Sequence, residues 1–194
     1  MSGPRIAWRA DASTTLGSGH VMRGLTLAAL LRARGAHLHF ICQALPGHLG
    51  DRIQTEGHAL SLLPAGLAPA EDAQATRAAL ESGAELLVVD HYALDAAWEQ
   101  ALRAPARSLA VIDDLANRPH QAGLRLDPNL GRQARDYDGL LPAACQRLIG
   151  PDWALLRPGF AAARSASLAR RAAGTLQHLL ISMGGADPQD ATAR

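Results

Sequence analysis

Apolar and polar positions come in blocks along this chain: short apolar runs end in polar or acidic residues, and longer Ala/Leu-rich stretches follow and stop at glycine. Residues 5–9 form the first apolar run, a strand signal. A polar loop over 11–18 then leads to a helix expected over 19–34, with Gly35 as its stop. The apolar residues Val21, Met22, Leu25, Leu27, Ala28, Leu30 and Leu31 spread around most of that helix, so it is expected to pack on two sides. Residues 36–42 read as the next strand. Pro46 suits the first turn of a helix that reaches Glu56 and closes at Gly57. Residues 58–63 read as a strand and 69–82 as a helix stopped by Gly83. Glu85-Leu86-Leu87-Val88-Val89-Asp90 is a continuous apolar run, as expected of a strand buried on both faces. A helix over 94–103, a second buried strand over 108–113 and a short strand over 124–127 follow.

Strand and helix thus alternate at roughly 20–25-residue spacing, which predicts an α/β fold with a doubly wound parallel sheet. Beyond Asp127 the pattern weakens. Residues 131–141 read as loop with a short helix, 146–150 as a short strand, and 161–174, rich in Ala, Arg and Ser, as a linker helix. Residues 175–182 read as a new strand that runs into Gly184-Gly185, the way a second Rossmann-like domain would open. The expected plan is one Rossmann-like domain over 1–160, a linker over 161–174 and the truncated start of a second domain over 175–194.

Composition narrows the chemistry. The chain has 194 residues, 48% hydrophobic and 19% charged, an ordinary globular balance. All 19 basic residues are Arg, which excludes a Schiff-base lysine and a Walker A lysine. A net charge of +1 with no sustained basic run gives no reason to expect nucleic acid or a membrane surface as partner. Cys42 and Cys145 are expected to be buried thiols. The chain starts without a signal-peptide pattern, and no apolar run approaches ~18 residues, so a cytoplasmic location and no membrane span are expected.

Ligands of open parallel sheets bind outside the carboxyl ends of the strands. The residues expected there are Asp11 and Gly17-Ser18-Gly19-His20 after the first strand, Asp90-His91-Tyr92, Asp113-Asp114, and Asp127-Pro128-Asn129. Carboxylates in such places also cap helices, and His91 would serve equally as a hydrogen-bonding partner of a neighbouring loop. His20 has a chemical argument of its own. The N–H groups and dipole of a helix start disfavour imidazolium, so His20 is expected to be a neutral base near pH 7. Met22 stands where a dinucleotide fingerprint needs its third glycine. The segment is not a G-x-S-x-G elbow either, and His20, Asp90, His91 and Asp113 have no HxH or HExxH spacing to support a metal. No metal and no cofactor are expected.

The segments Arg9-Ala10-Asp11-Ala12-Ser13 and Leu16-Gly17-Ser18-Gly19-His20-Val21-Met22-Arg23 closely resemble the N-terminal signature of the pseudaminic-acid-pathway UDP-sugar hydrolases (PseG type). Val89-Asp90-His91-Tyr92 resembles that family's second motif. Asp136-Tyr137-Asp138-Gly139-Leu140, the stretch from Gly150-Pro151-Asp152-Trp153 to Arg157-Pro158, and Ile181-Ser182-Met183-Gly184-Gly185-Ala186-Asp187 resemble later ones, in the family's order. The resemblance implies a two-domain glycosyltransferase-B (GT-B) architecture that hydrolyses UDP-2,4-diacetamido-2,4,6-trideoxy-beta-L-altropyranose with inversion, releasing UDP. It makes His20 the base and lets Tyr92 position sugar or water. Gly184 and Gly185 would face the diphosphate. Asp11, Gly17, Gly19, Asp90, His91 and Arg157 would contact substrate. The expected partner is thus a small-molecule UDP-sugar, and the expected state a monomer. A GT-B glycosyltransferase and a non-catalytic nucleotide-sugar binding module are the alternatives. A chain ending at Arg194 is expected to lack one wall of the cleft and to turn over negligibly.

Overall fold

A computed structural model describes residues 3–172, 174, 176, 178–181 and 191–193 of the chain. Its strands are β1 (Arg5–Ala10), β2 (His37–Gln43), β3 (Ala59–Leu63), β4 (Leu86–Asp90), β5 (Leu109–Ile112), β6 (Leu124–Asp127) and β7 (Gln146–Ile149). They form a seven-stranded sheet in the order β3-β2-β1-β4-β5-β6-β7, with every pairing parallel. The order reverses between β1 and β4, so the chain winds outward in both directions from that pair. The result is the expected Rossmann-like α/β fold, consistent with the N-terminal domain of a GT-B architecture.

Among the described residues, five α-helices accompany the sheet: α1 (Gly19–Ala33), α2 (Gly50–Thr55), α3 (Pro69–Ala79), α4 (Ala96–Ala101) and α5 (Pro158–Ala172). Residues alternate across each strand, and both faces are apolar. Trp8, Phe40, Val88, Ile112 and Leu126 meet Val21, Leu25 and Ala28 of α1 and Ile53 of α2 on one face. On the other, Ala7, Ile41, Leu87, Val89 and Val111 meet Ala73 of α3 and Trp98 of α4.

Gly24 sets how closely α1 approaches the sheet. A Cβ there would lie 2.8 Å from the Trp8 indole, and Trp8 is fully buried. This is the helix–strand packing that the third glycine of a dinucleotide fingerprint provides, displaced two positions along the helix from Met22.

Several sequence expectations are corrected. The helix expected from Pro46 begins only at Gly50. Gly47 takes a left-handed φ of +81°, and the Pro46 carbonyl accepts the Thr14 N–H at 3.0 Å, so Pro46 lies in a turn that ties this loop to the one after β1. Helix α1 is not apolar-packed on two sides: Val21, Leu25 and Ala28 are buried, while Leu30 is 41% exposed. Helix α4 starts after Asp95, whose carboxylate accepts the N–H groups of Ala97 and Trp98, and α3 ends at Ala79, three residues short of Ser82. Of the strand expected over 175–182, the described residues 176 and 178–181 lie in no strand, and the rest lie outside the described residues. No helix among the described residues is long and apolar enough to cross a membrane.

Candidate functional site

The carboxyl edge of the sheet, at the β1/β4 reversal, is where chemistry-bearing side chains converge. After β1 the chain makes a tight loop. Ser13 and Gly17 exchange backbone hydrogen bonds of 3.2 and 2.9 Å, and the Ser13 hydroxyl accepts the N–H groups of Thr15 and Leu16. Gly17 closes the loop with φ +76°, a backbone that favours glycine. Ser18 stands at the α1 N-cap without a side-chain capping bond, and no acid sits in the first turn, so the helix start is left electropositive. Gly19 takes an ordinary φ, and a Cβ there would meet nothing, so its own chain does not require a glycine.

His20 follows on the first turn of α1, 9% exposed. Its Nδ1 lies 2.6 Å from Oδ1 of Asp90, the last residue of β4, which is fully buried. A carboxylate only accepts, so Nδ1 carries the proton, the assignment following from its partner. That leaves Nε2 with the lone pair. Arg23, one helical turn on, donates through Nε to Asp90 Oδ2 at 2.5 Å and through Nη2 to Oδ1.

Tyr92, two residues past β4, sets its ring edge-on to His20, with centroids 4.7 Å apart and planes at 80°. Burial and the neighbouring Asp114 carboxylate push the Tyr92 phenol up to about 12, so it keeps its proton near neutral pH. Tyr92 is 43% exposed, more than His20 or Asp90 beside it.

The other strand-end carboxylates turn inward. Asp11 is 1% exposed and holds the buried Arg9 guanidinium at 2.6 and 2.9 Å, the Gln43 N–H at 2.7 Å and His91 Nε2 at 3.1 Å. Arg9 reaches Asp72 of α3 as well, at 2.5 and 3.1 Å. Asp72 also accepts from Gln43 Nε2 and the Trp98 indole. Burial raises the Asp11 carboxyl, but the bonds from His91 and Arg9 outweigh it and hold the group well below the usual carboxylate range. The same contest, with Arg9 and Gln43 as donors, lowers Asp72. His91 accepts the Ala93 N–H at Nδ1 and donates from Nε2 to Asp11, so it joins the β4 loop to the β1 loop.

Asp113 is similarly enclosed by His120, Arg118 and Arg125, each at 3.0 Å. Asp127 accepts the Tyr137 hydroxyl at 2.5 Å. The second nitrogen of His120 contacts Glu99 Oε1 at 2.5 Å. Burial disfavours its imidazolium, but Asp113 and Glu99 outweigh it and raise the group.

The structure therefore brings His20, Asp90 and Tyr92 together, adds Arg23 and Asp114, and commits Asp11 and His91 to a buried clasp beside them. Arg157 lies exposed on the chain leaving β7, an edge strand. Gly184 and Gly185 lie outside the described residues. Spacing does carry a signal for Arg23, since residues three apart share a helix face. Among the described residues no three His, Cys, Asp or Glu side chains group as a metal site would require. A cleft of about 280 Å³ lies at the opposite, amino edge of the sheet, lined by Ile6, Ala7, Leu38, His39, Ala79 and Leu80. It contains none of the clustered functional groups.

Among curated proteins, the chain is 28% identical over 156 residues to the UDP-2,4-diacetamido-2,4,6-trideoxy-beta-L-altropyranose hydrolase of Campylobacter jejuni. The match takes in 80% of this chain and 53% of the relative, so the chain spans about half the length of the curated relative it matches. No family model matches the chain.

Proposed function

We propose that this chain carries the base-bearing half of a UDP-sugar hydrolase, and that its substrate is a UDP-linked 2,4-diacetamido-2,4,6-trideoxy sugar. The observation that carries the reading is the His20–Asp90 pair at the β1/β4 reversal: a histidine oriented through Nδ1, with Nε2 left to accept a proton. Similarity to the Campylobacter hydrolase supports the substrate class.

UDP is a good leaving group, so the reaction needs an activated water more than an acid. His20 Nε2 takes a proton from a water as the water oxygen bonds the anomeric carbon. The bond from that carbon to the UDP oxygen breaks on the opposite side, and UDP leaves with the electron pair. Attack opposite the leaving group inverts the anomeric configuration. Tyr92, holding its proton, is a donor for the sugar or the water, and Asp90 stabilises the imidazolium that forms. A positioned base of this kind contributes about 10²–10⁴-fold. Gly17 and Gly19 let the backbone approach the sugar, and Gly184-Gly185 is the turn proposed to donate N–H groups to the diphosphate.

Incubation of the full-length protein with the UDP-diacetamido sugar, following UDP and the anomer of the released sugar by NMR, tests the reading. UDP and the inverted free sugar are expected with no acceptor present. UDP release only on addition of an acceptor alcohol would make the protein a transferase, and binding without release would make it a binding module.

A further inference from the structure

We propose that Arg23 is a positioning residue that keeps His20 a competent base, a proposal that rests on the reading of His20 given above. Asp90 is fully buried, and Arg23 grips it from the side, through Nε on one oxygen and Nη2 on the other. His20 Nδ1 shares Oδ1 with that second contact, and Arg23 Nη2 comes within 3.1 Å of Nδ1 itself. With Nδ1 protonated, this approach is a cation held against the ring, not a second hydrogen bond.

The arrangement has two consequences. The planar fork fixes the plane of the Asp90 carboxylate, and through it the His20 ring. The guanidinium also offsets the anion that would otherwise draw a second proton onto His20. The groups facing this pair are Asp90 from β4, Tyr92 from the loop after it, and Asp114 from the loop after β5, which acts on both Tyr92 and Arg23. Two of these neighbours are carboxylates, and among the described residues Arg23 is the cation that touches both Asp90 and the His20 ring. Without it, the carboxylates beside His20 are left unbalanced and the Asp90 carboxylate that orients the ring loses its fork. Arg23 is itself well placed to stay charged: burial disfavours its cation, but Asp90 outweighs this and raises the group.

The test uses the full-length protein with isotope-labelled histidine, the His20 ring resonances being assigned by their loss in His20→Gln. In Arg23→Met the pH midpoint of His20 protonation is expected to rise by about one unit or more, and the acid limb of kcat/KM to move up with it. Arg23→Lys keeps the charge but not the fork. Its midpoint is expected to stay near the native one, while the Nε2–H tautomer becomes populated and kcat falls about tenfold or more.

A merely structural Arg23 would lower the unfolding temperature and leave the midpoint, the tautomer and the shape of the pH profile unchanged; that result overturns the proposal. If Arg23→Met does not fold, Arg23→Lys decides alone: native tautomer and native kcat overturn it. The two readings fail separately. Native turnover in His20→Gln removes the base, whereas an unmoved midpoint in Arg23→Met, with His20→Gln inactive, removes only the role of Arg23.

Discussion

Asp90 ties the candidate site together, because one carboxylate sealed from solvent holds both the ring it orients and the guanidinium that balances it. Asp90→Asn keeps the shape and removes the charge, and its amide can offer Nδ1 a donor, which favours the wrong tautomer. Turnover is expected to fall by about 10²-fold or more while substrate Kd stays within about tenfold, read by steady-state kinetics beside equilibrium binding. His20, Asp90 and Tyr92 are legible in the sequence because each follows directly on an apolar strand run or a glycine-marked helix start. The inward turn of Asp11 is not, since strand-end position says nothing of side-chain direction. Its signal is Arg9, a charged residue inside an otherwise apolar strand, which needs a buried anion.

At the scale of single elements, α1 is held to the sheet through Gly24. Alanine is the better helix former by about 1 kcal/mol, but its methyl would press on the fully buried Trp8 ring. Overpacking of this kind costs about 1–3 kcal/mol. Gly24→Ala is therefore expected to lower stability by about 1–2 kcal/mol in urea unfolding and to shift the helix that carries His20. The strands were legible to within a residue or so, most plainly β4 and β5, whose apolar runs are buried on both faces. Helix starts were less so. Pro46 is permissible in a helix's first turn, and only the left-handed Gly47 and the Thr14–Pro46 bond, both products of tertiary structure, place it in a turn. The broad apolar circumference of α1 likewise did not reveal that Leu30 stays exposed.

The whole molecule rests on buried ionic clasps whose signs fix its response to pH. Asp11, Asp72 and Asp113 lie below the ordinary carboxylate range in the fold. For Asp113, burial is outweighed by His120 and Arg125. The unfolded chain therefore takes up protons first at these groups. Their contribution to stability is complete above about pH 4 and is lost as pH falls. His120 is raised, so its contribution is complete below about pH 6.5 and is lost as pH rises through its folded-state value. The unfolding temperature is expected to peak between these limits, and His120→Gln is expected to flatten the alkaline side while leaving the acid side in place. A scan of unfolding temperature from acid to alkaline pH on both proteins checks this. Breaking a clasp is costlier: Asp72→Ala leaves Arg9 with one buried carboxylate in place of two, and is expected to cost about 3–5 kcal/mol.

The most direct measurement is the rate of UDP release from the UDP-diacetamido sugar by the full-length protein carrying His20→Gln beside the unsubstituted full-length protein, with Kd for the same sugar nucleotide determined on both. Release should drop by about 10²-fold or more with Kd changed by no more than about tenfold. Native turnover in His20→Gln would show that water is activated elsewhere and that the His20–Asp90 pair is not the base.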